Sequence, residues 1–280
     1  MNSCPCHVEW RVMMWLGVAV ALAGCSPDFK PRNFANPEAL FRASVLEFQL
    51  KHWNNARLGF ESLANDLSAR DPLLASTYYY LGLTHEQRKE FLLAAQAYER
   101  VTDGFPDDTL APRAMVGVGR SYQRQWRKPA LDPQDGERAI SILRALLSSY
   151  PDAKETTEAK ERIAELEEWF ARKDYETGMH YIRVRKATDP AIIYFKDVVT
   201  TYPNTKVARL AWLRLHELYT KIRWKEDAAE TCQAMWTAYP GDVEVRAKCG
   251  VQKAAAATDT AKLPVGAVVT PQGYARPAPR

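Results

Sequence analysis

Tyr78, Leu81, Gly82 and His85 are followed by Ala94, Tyr98, Val101 and Pro106, and the same order of large and small residues returns at Trp212, Leu215, His216 and Tyr219, then Ala228, Cys232, Met235 and Pro240. Spacings of three and four residues mark one face of a helix, and each unit holds two such faces. The proline stops the second helix. Small residues at fixed places let the two helices cross closely, and the large ones fill the gap between them. One such unit cannot bury its apolar face alone, so units must stack on one another.

Three partial copies complete the series. Met115, Val118, Gly119 and Tyr122 lead to Ala139, Leu143, Leu146 and Pro151, with twenty residues from Gly119 to Ala139 against twelve from Gly82 to Ala94. Eight extra residues therefore lie between the helices of that unit, within Trp126–Gly136. A first copy has Ala56, Phe60 and Leu63 after an opening helix over Glu38–Lys51, and a fourth has Ala191, Phe195, Val198 and Pro203. A heptad-like stretch from Thr156 to about Arg185 precedes the fourth and reads as one long or broken helix. Asp189-Pro190 and Asp135 offer helix caps, and Tyr-Pro at 150–151, 202–203 and 239–240 closes three units. The pattern resembles the tetratricopeptide repeat. The expected fold is all-α, a tetratricopeptide-repeat superhelix of about five helix pairs with a C-terminal capping helix at Asp242–Val251.

Before the repeats, Arg11 and the apolar run Val12–Ala23 lead into Leu22-Ala23-Gly24-Cys25. The run is too short to cross a hydrocarbon core of about 30 Å. Its end resembles the lipobox of bacterial lipoprotein signals, which implies cleavage before Cys25 and acylation of that cysteine. Two or more acyl chains anchor stably. An ordinary secretory signal ending near Gly24, or a buried apolar segment, is the alternative. Cys4, Cys6 and Glu9 are unusual ahead of such a run, and a start at Met13 would remove them together with Arg11. Ser26 after the cysteine favours the outer membrane by analogy with known lipoproteins. The expected organisation is a signal peptide over 1–24, a proline-marked tether over 25–37, the repeat domain over 38–252, and a tail over 253–280. The tail is rich in Ala, Pro, Thr and Gly, cannot repay its ordering entropy, and is expected to be disordered.

The chain as a whole resembles the BamD family, the lipoprotein component of the outer-membrane β-barrel assembly machine. The resemblance rests on Leu22–Cys25, on five repeats in this order, on the inserted Leu131-Asp132-Pro133-Gln134, and on Ser149-Tyr150-Pro151-Asp152. It continues in the charged helix with Arg162, Ile163, Leu166 and Tyr175, and in Thr201-Tyr202-Pro203-Asn204-Thr205. Lys186-Ala187-Thr188-Asp189-Pro190 departs from the family's usual glycine-containing turn. The resemblance implies a lipid-anchored scaffold of the cell outer membrane, facing the periplasm. Its implied partners are a BamA-like barrel assembly protein, other subunits of the complex and unfolded outer-membrane proteins. The alternative is another repeat lipoprotein of the envelope, a secretin or pilus pilot or a cell-division coordinator.

No catalytic chemistry, cofactor or metal is expected. His7, His52, His85, His180 and His216 are scattered, and none stands at ligand spacing from Cys, Asp or Glu. Asp132-Pro133-Gln134-Asp135-Gly136 lacks the alternating ligands and closing glutamate of a calcium loop. No phosphate-binding, dinucleotide or hydrolase motif occurs, and a net charge of +4 with both signs interspersed gives no nucleic-acid footprint. About 215 residues fall in repeats, leaving no room for a second catalytic domain.

One surface pattern stands out. Arg113, Arg120, Arg124 and Arg127 follow spacings of seven, four and three on the first helix of the third repeat, which makes one stripe at 100° per residue. First helices line the concave face of such arrays, and arginine suits carboxylates. Tyr79, Leu83, Arg113, Arg120 and Arg124 are the expected peptide-binding groove. A solvated charged face is the alternative. Finally, with Cys25 acylated and the signal removed, Cys232 and Cys249 are the remaining thiols. They lie eight residues to either side of Pro240-Gly241, hence at similar height on an expected helical hairpin. In an oxidising periplasm a disulfide is expected; a pair of buried free thiols is the alternative.

Overall fold

The computed structural model describes residues 29–250. They form eleven α-helices and no strand among the described residues: α1 (Pro37–Gln49), α2 (Trp53–Asp66), α3 (Pro72–Gln87), α4 (Phe91–Gly104), α5 (Ala111–Gln125), α6 (Gln134–Ser149), α7 (Thr156–His180), α8 (Thr188–Thr201), α9 (Lys206–Ile222), α10 (Lys225–Ala238) and α11 (Val243–Cys249). The fold is all-α, with tetratricopeptide-type helix pairs in chain order and α11 as a final short helix. The chain divides into two compact units within α9, one ending at Leu218 and the other beginning at Tyr219.

From α1 to α8 each helix packs on the next, and α1 also touches α3, α3 touches α5, and α5 touches α7. The first helices of successive pairs are therefore neighbours and share one face. The crossing point is made by small residues. A Cβ on Gly82 of α3 would lie 2.6 Å from the Tyr98 ring of α4, and one on Gly117 of α5 would lie 2.7 Å from the other edge of that ring. Tyr98 is fully buried in this slot. It belongs to a core that continues through Ala114, Val118, Trp126, Leu143 and Phe170. Burying side chains of that size contributes about 1.5–3 kcal/mol each.

The helix stops follow the aromatic-proline rule. Phe105, Tyr150, Tyr202 and Tyr239 are the C-caps of α4, α6, α8 and α10, and all leave the helical region. The following proline disfavours helix at each of them. The turns inside the pairs use a different device. Lys51, Lys89, Lys186 and Arg223 adopt positive φ of 54–64°, and in three of these turns the next N–H closes on the carbonyl five residues back: His52 on Glu47, Glu90 on His85, Trp224 on Tyr219. These are Schellman-type ends, usually glycine. A basic residue is tolerated there at about 1 kcal/mol of strain, and its charge favours the helix C-terminus. Lys186 thus occupies the place of the glycine missing from that turn.

The heptad-like stretch is α7 followed by a π-helical turn over Tyr181–Arg185. The first half of α7 packs beside α5, through Glu158 and Arg120. The second half carries α8, through Gly178 and Tyr175 against Phe195. One helix thereby serves two neighbours, which is why the interval between prolines is too long for a single unit.

Two expectations are corrected. Asp189-Pro190 does not cap α8: the helix begins at Thr188 straight out of the left-handed Lys186 turn, Ala187 is the N-cap, and Asp189 lies within the first turn. Asp135 likewise lies inside α6, whose N-cap is Pro133; Asp132 accepts from the Gln134 N–H instead. Within the expected tether of 25–37, the structure describes the residues from Phe29 onward. Pro31–Asn33 form a 3-10 turn, and Phe29 and Phe34 pack together at 5.5 Å and join the Leu40, Ala56 and Phe60 core of α1 and α2. Among the described residues no helix pair precedes the first, and these two aromatics cover apolar surface of α1 and α2.

In the second unit, Asp242 caps α11 through the Glu244 and Val245 N–H groups. Trp224 stacks on Tyr219 and stays half-exposed. Cys232 of α10 and Cys249 of α11 are joined as a disulfide with their Cα atoms 5.5 Å apart.

Candidate functional site: the face of the first helices

The face shared by α3, α5 and α7 gathers the expected groove residues around one that sequence reasoning missed, Glu86. It is the only acidic residue of α3, a helix otherwise apolar, small or polar, and its side chain is 4% exposed. A carboxylate that deep must be paired and hydrogen-bonded. Arg120 supplies both: its Nε donates to Glu86 Oε1 and its Nη2 to Oε2, each at 2.7 Å. The Tyr98 hydroxyl donates to Oε2 at 2.7 Å, and Arg124 Nη1 stands 3.7 Å from Oε1.

From Arg120 the network crosses to α7. Arg120 Nη1 donates to Glu158 at 3.3 Å, and Arg162 Nε donates to the same oxygen at 2.9 Å. Arg162 also donates to Gln123, which donates to Glu165. Nearer the helix start, Arg113 donates to Glu155 at 3.1 Å. Successive first helices are therefore laced by charge-assisted bonds between residues 34 to 42 positions apart. The hydrogen bonds to Glu86 raise the Arg120 guanidinium above its ordinary range, so it stays charged. Burial raises the Tyr98 phenol, and the neighbouring Glu86 carboxylate adds to it.

The structure divides the expected groove residues. Arg120 uses all three of its nitrogens on Glu86 and Glu158. Arg113 and Arg124 keep exposed guanidinium surface, and Arg127 is exposed at the start of the loop. Arg124 also lies over the Phe91 ring at 5.7 Å, within cation–π range. Tyr79 is half-buried against Tyr98 at 5.7 Å. Burial raises its phenol, while Arg120 and Arg113 pull it down, which places all three in one electrostatic neighbourhood. Leu83 packs at the margin of the same core. Cys25 lies outside the described residues. The face offers a half-buried aromatic, an aliphatic and two exposed guanidiniums. No helix among the described residues is long and apolar enough to cross a membrane.

The chain is 24% identical over 234 residues to the outer membrane protein assembly factor BamD of Caulobacter vibrioides, covering 80% of this chain and 74% of that one. Among solved structures, a tetratricopeptide-repeat protein of Bacteroides fragilis superposes with a TM-score of 0.48 at 13% identity, covering 77% of this chain and 97% of that one. The Pseudomonas aeruginosa protein pilF superposes with a TM-score of 0.34 at 15% identity, over 75% and 95%. The family model described as outer membrane lipoprotein, YfiO, matches residues 35–235, and the chain belongs to that family, the BamD-like proteins.

Proposed function

We propose that this protein is a lipid-anchored, non-catalytic scaffold of outer-membrane β-barrel assembly, fixed through Cys25 and facing the periplasm. On this reading it binds the periplasmic domains of a BamA-like barrel protein and receives unfolded outer-membrane proteins. The observation that carries it is the family match over residues 35–235, with the Caulobacter assembly factor as a relative over most of both chains. The stacked helix pairs supply a rigid frame. Tyr79, Leu83, Arg113 and Arg124 supply apolar and cationic contacts for a client segment, and Arg120 holds the frame beneath them. The test is co-purification from detergent-solubilised outer membranes. Recovery of a β-barrel protein with periplasmic domains supports the reading; recovery of a secretin or of division proteins in its place would move the protein to a different envelope machine. Cys25→Ser is expected to leave a soluble or unprocessed protein. A Cys25→Ser protein still processed and in the outer-membrane fraction would contradict the anchor.

A further inference from the structure

We infer that the first helix pair rests on the phospholipid surface, held there by a leash too short to let it leave. The inference depends on acylation of Cys25, as proposed above. Phe29 is a fixed point of the fold: it packs on Phe34, and a Cβ on Gly59 of α2 would lie 3.2 Å from its Cε1. Only Ser26, Pro27 and Asp28 separate it from Cys25. Whatever their conformation, that length of chain spans at most about 14 Å. The glyceryl group on Cys25 belongs at the inner edge of the headgroup layer, which is roughly 5–8 Å deep. Phe29 therefore lies within roughly 10 Å of the headgroup plane, close to the Debye length of about 8 Å at physiological ionic strength.

The residues brought to that distance suit such a surface. Lys30 and Arg32, next along the chain, are both exposed. Leu58 of α2, beside Gly59, is an exposed apolar side chain. Glu38 in the first turn of α1 and Asp66 at the end of α2 are exposed acidic groups of the first pair, and Asp28 precedes Phe29, so the attraction comes from the two cations nearest the anchor. Cations close to an anionic membrane add attraction that falls off within a Debye length. The committed occupant is a bilayer surface bearing anionic headgroups. A flexible tether would let the array drift through the periplasm, whereas this leash fixes the height of the first pair above the membrane.

The experiment uses the full-length acylated protein in vesicles of phosphatidylethanolamine with a minority of phosphatidylglycerol and a nitroxide-headgroup lipid as quencher. A dye is placed at Asn33→Cys in the 3-10 turn or, as a distant control, at Arg144→Cys on α6. Quenching is expected at position 33 and not at 144. A long Gly/Ser insertion between Ser26 and Pro27 should reduce it. Lys30→Glu with Arg32→Glu should reduce the docked-to-undocked ratio by about fivefold per cation replaced, and only when phosphatidylglycerol is present. Equal quenching at the two positions, or no effect of the longer leash, would overturn the inference. Mass measurement of the mature N-terminus separates the two ideas: an unacylated Cys25 removes the anchor and the docking together, whereas an acylated protein without quenching at position 33 removes the docking alone.

Discussion

Glu86 on α3 and Arg120 on α5 share two hydrogen bonds of 2.7 Å, across 34 residues of chain, at a place where the carboxylate is 4% and the guanidinium 21% exposed. The pair locks the first helices of two repeats in register. Its net value is smaller than its geometry suggests, because both charges are desolvated. Removing one partner is costly, since the other is left buried and unpaired. Glu86→Met is expected to destabilise the protein by about 3 kcal/mol. Arg120→Met should cost less, because the Tyr98 hydroxyl and Arg124 remain near the carboxylate. The double variant Glu86→Met with Arg120→Met should recover part of the loss. Denaturant titration of the four proteins checks this, and strictly additive losses would show that the two residues do not act as a pair.

The slot that holds Tyr98 makes an opposite prediction to helix propensity. In an exposed helix, Gly→Ala stabilises by about 1 kcal/mol. At Gly117 the new methyl would meet the Tyr98 ring at 2.7 Å, and overpacking of that kind costs about 1–3 kcal/mol. Gly117→Ala should therefore be destabilising. Tyr98→Phe keeps the ring and loses only the bond to Glu86, so it should cost about 1–2 kcal/mol. Thermal melts of the two variants separate the steric effect from the polar one.

Acid should weaken the turn between α3 and α4 at a defined pH. Hydrogen bonding from Arg88, and after it from His85, holds the Glu90 carboxyl at about 2, below its ordinary 4.5. A group depressed on folding stabilises the protein above its unfolded pKa, and that stability is lost as pH falls through the folded value. The contribution of Glu90 should be whole above about pH 4.5 and gone near pH 2. Its side chain is close to the surface, so salt should reduce the effect. Glu90→Gln should flatten the stability–pH profile in that window and lower stability near neutrality, where the ionised carboxylate contributes fully. An identical acid limb in the variant would show that other carboxylates set it.

The helix pairs, their aromatic-proline stops and the extra loop before α6 were legible because each is local: periodicity, caps and proline act within a few residues. Glu86 was not, because its meaning lies in a partner 34 positions away on another helix. The one available signal was an isolated acid in an otherwise uncharged stretch of α3. Arg120 was found for its place in a stripe, yet a stripe cannot show that its partner stands across the face. Phe29 and Phe34 were assigned to a tether because a three-residue 3-10 turn has no periodicity to read. The left-handed lysines were equally hidden: the backbone there is set by the packing of the flanking helices, and their local preference is overruled.

Cys232 and Cys249 are expected to be bonded in the mature protein. Their Cα atoms are 5.5 Å apart, inside the range a disulfide spans, and the proposed periplasmic setting is oxidising. The bond closes a loop of 17 residues in separation. Constraining the unfolded chain over such a loop stabilises by about 3 kcal/mol, a large share for a short terminal element such as α11. Thiol labelling of the denatured, non-reduced mature protein should find no reactive cysteine; two would show that the pair is free. Reduction, or Cys249→Ser, should raise amide exchange in α10 and α11 and leave α1 to α6 unchanged, because the bond lies wholly within the second unit. Exchange that rose throughout α1 to α6 as well would show instead that the cross-link stabilises the whole array.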